Sequence, residues 1–214
     1  MIYDILIIIG AYLIGSVPSA VWIGKIFCGI DVREHGSKNA GATNTMRVLG
    51  VKTGIPVLLI DILKGFAAVK LAFLSPDFLP GTNTFVNFQL ILGAAAVLGH
   101  IFPLFAGFRG GKGVATIVGI LLALHWPATL VAIAVFLVTL FISHYVSLGS
   151  LLMGISFPIS VIFIFHSDSI SMRIFSLVVC LLLFITHRKN ISRLMHGTEN
   201  KATFLFRDKS AGKG

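Results

Sequence analysis

Long apolar runs with no polar residue at every second position constrain this chain more than any other feature. "IVGILLALHW" and "FSLVVCLLLFI" are two of them. A segment of this kind placed in lipid must satisfy every backbone N–H and C=O from within the protein, which only helices and closed barrels achieve. A barrel strand alternates apolar and polar residues, and these runs do not, so the expected fold is all-α, a polytopic membrane helix bundle. With 56% hydrophobic and 12% charged residues in 214, an ordinary soluble domain is excluded.

Polar breaks near 25–54, 75–87, 108–113, 125–127, 143–150, 166–171 and from 187 onward leave seven apolar segments, 2–24, 55–74, 88–107, 114–124, 128–142, 151–165 and 172–186. The division at "HWP", His125 to Pro127, competes with one long helix kinked at its proline. Charge placement favours dividing there. With seven spans, all of the 17 basic residues except Lys64, Lys70 and Arg173 fall on one side, which the positive-inside rule makes cytoplasmic. The N-terminus is then outside and the C-terminus inside. Segments of 11 to 15 residues fall short of the ~20 that cross straight, so half-length helices around a buried cavity are expected. "MIYDILIII" carries an acid and no base before its apolar run, and reads as a retained first helix rather than a cleaved signal. Residues 1–200 form one membrane-embedded domain, and 201–214 a polar C-terminal tail expected to be flexible. Cys28 and Cys180 stand alone without CxxC spacing, and core packing is the expected role of both.

The polar residues of the cytoplasmic stretches fall into three groups. "HGSKNAGATNTMR", His35 to Arg47, is a cluster of bases, amides and hydroxyls without an acid, which suits an anion. The plainer alternative is a solvated turn leading into a helix capped by Ser37 or Thr43. "FRGGKGVAT", Phe108 to Thr116, sets Gly110, Gly111 and Gly113 around Lys112, directly before a helix whose N-terminal amides favour anions. The competing reading is a short loop whose Arg109 and Lys112 face water and lipid headgroups. "HRKNISRLMHGTE", His187 to Glu199, is a positive-inside flank for Arg188, Lys189 and Arg193, whereas His187 and Asn190 share a helical face three residues apart. Within the bundle, Asp61 and Lys64 can neutralise each other, as a functional site or as a structural ion pair. His100 reads as a hydrogen-bonded packing residue.

Several chemistries find no support. The P-loop pattern fails at Ala106 and Gly113. No cluster of carboxylates is present to hold Mg²⁺, and neither an HxxxxD pair nor a GxSxG elbow occurs. The reaction expected is one that positioned cations promote without metal or covalent serine.

"GSKNAGATNTMR", "GHIFPLFAGFRGGKGVAT" and "HRKNISRLMHGTE", in this order between hydrophobic spans, resemble the bacterial acyl-phosphate:glycerol-3-phosphate acyltransferase family over residues 1 to about 200. The resemblance implies a seven-helix enzyme of the bacterial cytoplasmic (inner) membrane, its active site facing the cytoplasm. Such an enzyme transfers a fatty acyl group from acyl phosphate to the sn-1 hydroxyl of glycerol 3-phosphate, giving lysophosphatidic acid and phosphate. No cofactor, coenzyme A or acyl carrier protein is implied, and the partners are the two substrates and membrane lipid, not nucleic acid. Carried over by motif, Lys112 and Arg47 bind the glycerol phosphate, and Ser37, Gly110, Gly111 and Gly113 shape the phosphate cavity. Asn39, Thr43 and Asn44 are supporting donors. His187 and Asn190 contact the substrate, as does Ser150 of "SLGS", and Glu199 holds basic side chains in place. The proton acceptor stays open between His187 and a substrate phosphate. "TENKATFLF" departs from the family pattern and leaves the tail unassigned. The alternative is a transporter or channel for small organophosphates, but the outer stretches "SPDFLPGTNTFVN" and "HSDS" offer no comparable basic funnel.

Overall fold

The computed structural model describes residues 2–206, and every regular element among them is helical. The α-helices are α1 (Ile2–Gly15), α2 (Ser19–Cys28), α3 (Ala42–Leu49), α4 (Val51–Lys70), α5 (Asn83–Ile101), α6 (Val114–Ser143), α7 (Val146–Ile159), α8 (Ile170–Thr186) and α9 (Arg188–Met195). Local chemistry sets several boundaries. Pro18 breaks α1 from α2, and the hydroxyls of Thr82 and Ser169 cap α5 and α8 by accepting from the amides of Phe85 and Met172. Helix α3 starts from Gly41 without a side-chain cap, so neither Ser37 nor Thr43 takes the capping role.

By length and composition, three helices among the described residues can cross a membrane: Asn83–Ala106, Val114–Ser143 and Val146–Ile164. Two bent pairs raise this to five, Ile2–Gly15 with Ser19–Cys28 at 43° and Ile170–Thr186 with Arg188–Met195 at 63°. Helix α4 is left out by its charges, although Asp61 and Lys64 are buried against each other.

Helix α6 is not a single straight rod. At 1.5 Å per residue its 30 residues would extend ~45 Å. Yet Lys112, just before it, and Ser147, just after it, are joined by only three hydrogen bonds, through Asn190 and Glu199. The element therefore doubles back, and it does so at His125, whose φ of −152° and ψ of 72° are not helical. The ring Nδ1 of His125 accepts from the amide of Ala128 at 3.3 Å, and Pro127, lacking an N–H, sits in the first turn of the second arm. The two arms, 114–124 and 126–143, match the division expected at "HWP".

The core lies where α4 to α8 meet, filled by Val69, Leu92, Ile117, Ile120, Leu121, Phe157 and Leu183, each nearly or fully buried. Large apolar residues on the outer faces, among them Leu63, Phe141, Ile142, Leu181 and Ile185, stay exposed, as a lipid-facing surface requires. Without a hydrophobic drive between helices in lipid, close backbone approach supplies the cohesion. Helices α4 and α6 show it reciprocally: a Cβ on Gly65 would sit 2.1 Å from the Thr116 carbonyl oxygen, and one on Gly119 would sit 1.9 Å from that of Ile62. Cys28 departs from expectation. It is exposed with the rest of the last turn of α2, Lys25 to Cys28, while Cys180 is half-buried in α8.

Candidate active site

The first two polar stretches are clasped by Arg33. Its guanidinium holds Asp31 through Nε at 3.0 Å and a terminal nitrogen at 2.8 Å, then reaches the Ala106 carbonyl at 2.8 Å. Hydrogen bonds from Arg33 keep the Asp31 carboxyl well below the usual carboxylate range, outweighing its partial burial. The loop before α3 is tied inward by buried Asn44. Its oxygen accepts from the Ser37 amide at 2.8 Å and hydroxyl at 3.0 Å, and its nitrogen donates to the carbonyls of Val32 at 2.7 Å and His35 at 3.1 Å.

These loops, the α6 arms, α7 and the α8–α9 corner enclose a cavity of about 300 Å³. Of the residues singled out in sequence, Ser37, Asn39, Thr43, Asn44, Arg47, Lys112, Gly113, Ser150, His187, Asn190 and Glu199 line it. Gly110 and Gly111 do not. Their amides are spent on the carbonyls of Ile101 and His100, both at 3.2 Å. A Cβ on Gly110 would lie 2.0 Å from the His100 carbonyl oxygen, and one on Gly111 would lie 2.3 Å from His100 Nε2. These glycines let the loop pack onto His100 and so aim Lys112. They line a small neighbouring cavity instead. The amides of Lys112 and Gly113, by contrast, have no protein acceptor among the described residues.

One polar chain runs across the cavity. Lys112 Nζ donates to Asn190 Oδ1, and Asn190 Nδ2 donates to Glu199 Oε1 at 2.6 Å. The same oxygen accepts from Ser147 Oγ at 2.9 Å, and Glu199 Oε2 takes Arg193 Nε at 2.6 Å. Burial raises the Glu199 carboxyl, but these three donors outweigh it and hold the group below its ordinary value. His187, nearly buried at the α8–α9 corner, bonds through Nδ1 to the Leu183 carbonyl at 2.8 Å. A carbonyl only accepts, so Nδ1 carries the proton and Nε2 is left with a lone pair. Ser150 returns its hydroxyl to the Val146 carbonyl at 2.8 Å.

The electrostatics are unbalanced. Arg47, Lys112 and Arg193 line the cavity against a single unneutralised partner, Glu199, since Asp61 is paired with Lys64 at 2.8 Å. Two positive charges remain, and the Arg47 guanidinium makes no hydrogen bond or ion pair with another described residue. Burial lowers the pKa of Arg47 and pushes Lys112 down to about 8, with Glu199 opposing and the neighbouring arginines adding to the shift. The rest of the lining is largely apolar, with Leu58, Ile62, Val118, Ile133, Phe136 and Met153 supplied by α4, α6 and α7.

Sequence reasoning passed over Ser147 and read Arg193 only as a positive-inside flank. Each lies three residues from a residue that was named, Ser150 and Asn190, on the same helical face, and that spacing was the signal available. Asp61 and His100 also line the cavity, and His100 Nδ1 lies 3.0 Å from the Thr116 hydroxyl and 3.7 Å from Asp61.

Comparison with known proteins bears on this geometry. The profile of a family described as glycerol-3-phosphate acyltransferase matches residues 5–197. A glycerol-3-phosphate acyltransferase of Listeria monocytogenes is 47% identical over 203 residues, covering 94% of this chain and 98% of that protein. One from Fusobacterium nucleatum is 44% identical over 197 residues, covering 92% and 97%. Among solved structures, the glycerol 3-phosphate form of PlsY, an integral membrane glycerol 3-phosphate acyltransferase, superposes with a TM-score of 0.85 at 34% identity, over 96% of this chain and all of that one. The lysophosphatidic acid form of the same enzyme gives 0.81 at 33% identity, with the same coverage.

Proposed function

The chain belongs to the glycerol-3-phosphate acyltransferase family, and from that premise we propose that it moves a fatty acyl group from acyl phosphate to the sn-1 hydroxyl of glycerol 3-phosphate, releasing lysophosphatidic acid and phosphate. One observation carries the reading. A cavity lined by two uncompensated cations and by apolar side chains of α4, α6 and α7 suits two phosphate-bearing reactants, one of them with a hydrocarbon tail.

In this reading the dianionic phosphate of glycerol 3-phosphate sits against Arg47 and Lys112, with the free amides at Lys112 and Gly113 and the side chains of Asn39 and Thr43 as further donors, while Ser37, its amide and hydroxyl both given to Asn44, shapes the wall. Asn44 acts through the loop it ties down. Asn190 and Glu199 hold Lys112 and Arg193 in place, and Ser147 and Ser150 complete that wall. The sn-1 oxygen attacks the acyl carbonyl carbon, the carbon–oxygen bond to phosphate breaks, and phosphate leaves with its electron pair. The hydroxyl proton passes to His187 Nε2 or to a substrate phosphate oxygen. An acyl phosphate is already activated, so proximity and stabilisation of developing negative charge carry most of the rate. No cofactor, coenzyme A or carrier protein takes part.

The polar stretches 37–47, 112–113, 147–150 and 187–200 meet around one cavity, which supports a common membrane face for them. The lysines and arginines in three of the four support a cytoplasmic face in a bacterial inner membrane. The doubling back of α6 supports counting its two arms separately, for seven spans with the N-terminus outside.

Purified protein mixed with palmitoyl phosphate and glycerol 3-phosphate, without coenzyme A or carrier protein, is expected to release phosphate and lysophosphatidic acid in equal amounts. A requirement for an acyl thioester would refute the donor, and flux of glycerol 3-phosphate into vesicles without product would favour a transporter.

Lys112 also sets a proton prediction. Its ordinary pKa is ~10.4, and in the folded protein it is about 8. Burial of the ammonium therefore opposes folding in full below pH 8, and that cost fades as the pH rises from there. A bound dianion restores the proton. At pH 8, binding of glycerol 3-phosphate is expected to take up about half a proton per site, read by calorimetry in two buffers of different ionisation enthalpy. Identical heats in both would contradict it.

A further inference from the structure

The family profile ends at residue 197, but the chain does not leave the site there. After Glu199 and Asn200 line the cavity, Ala202 is fully buried and its amide donates to the His144 carbonyl at 2.8 Å. Phe206 stands edge-on to His144, with ring centroids 4.3 Å apart, and packs against Phe141 at 5.9 Å. His144 is itself fixed at the turn between α6 and α7, with φ of 61°. Lys201 Nζ lies 5.7 Å from the centre of the Tyr145 ring. Pinned on both sides, the strap 202–206 holds the Phe204 ring with its centre 5.6 Å from Arg47 Cζ, within the range of a cation–π contact.

The choice of an aromatic neighbour matters because of what Arg47 does not have. Its guanidinium makes no hydrogen bond or ion pair with any other described residue, so Phe204 is the group in contact with its charge. A carboxylate in that place would occupy two of the five N–H donors and cancel the charge. A ring face steadies the cation while leaving all five donors and the full charge for an incoming anion. We propose that Phe204 is a positioning residue for the anion site, holding the Arg47 guanidinium oriented over the cavity from a strap outside the family's matched region. The ligand it serves is a phosphate monoester dianion, an assignment that rests on the function proposed above.

The test uses the full chain in detergent with Phe204→Ala, Phe204→Leu and Phe204→Trp. Leucine keeps apolar bulk without a ring quadrupole, and tryptophan keeps the ring. The Ala and Leu forms are expected to bind glycerol 3-phosphate about fivefold more weakly by calorimetry without acyl donor. KM should rise by the same factor and kcat stay within about twofold. The Trp form is expected to match the parent, and thermal midpoints to stay together. A Leu form that binds like the parent would reduce Phe204 to filler and overturn the proposal, as would a loss confined to kcat. If the parent shows no acyl transfer but the binding pattern holds, the strap stands and the proposed reaction falls.

Discussion

Replacing Lys112 with Met lowers kcat/KM for glycerol 3-phosphate by about 10²- to 10³-fold, while the thermal midpoint of the protein does not fall. Both halves of this expectation come from the same burial. The ammonium is held where water solvates it poorly, its pKa pushed down to about 8, so its proton is costly until an anion arrives. Removing it relieves that cost in the empty protein and leaves the phosphate facing Arg47 alone. Methionine keeps most of the apolar stem of the side chain without its charge. Arginine is not a conservative alternative, since its planar fork does not fit the single contact that Nζ makes to Asn190 Oδ1. Because Arg47 shares the phosphate, the double variant should lose less than the product of the two single losses. A folded Lys112→Met protein within tenfold of parental turnover would remove Lys112 from the anion site.

Asp61→Leu is expected to be the most damaging single change to stability, about 3–5 kcal/mol, because it strands a buried charge. Lys64 Nζ lies 2.8 Å from Asp61 Oδ1 and 2.8 Å from the Val17 carbonyl, and both side chains of the pair are almost fully buried. The carboxylate also accepts from Ser19 Oγ at 2.7 Å, which ties α2 to α4. Without it the ammonium keeps one carbonyl and no counter-charge. Adding Lys64→Met should recover most of the loss, since an apolar pair of similar volume avoids the desolvation of both ions. Thermal unfolding in detergent reads the cycle. Equal stability of Asp61→Leu and parent would show that the pair carries no weight, and failure of Lys64→Met to rescue would locate the damage elsewhere.

Much of this was legible along the chain. Apolar runs without alternation meant helices, and "HWP" marked the place where α6 turns back. Thirteen residues were named for the site, and Gly110 and Gly111 alone among them fail to line the cavity. They were misread because glycines beside a lysine look the same whether their amides face an anion or another backbone. Here they face the carbonyls of Ile101 and His100. Arg193 was misread for a similar reason, since a basic residue after an apolar span usually serves topology and this one holds Glu199. Phe204 carried no signal at all, because a phenylalanine in a polar tail has meaning only once a cation is known to lie beneath it.

By itself, the sequence determined that the protein is helical and built for lipid, since hydropathy and periodicity act over one or two turns and need no partner. It also determined which residue types were available for an anion. The tertiary structure alone decided which of those groups meet. Contacts between Arg33 and Ala106, Lys112 and Asn190, or Arg47 and Phe204 join positions 70 to 160 residues apart. Such pairings depend on how the helices pack and where α6 folds back, and no local pattern encodes them.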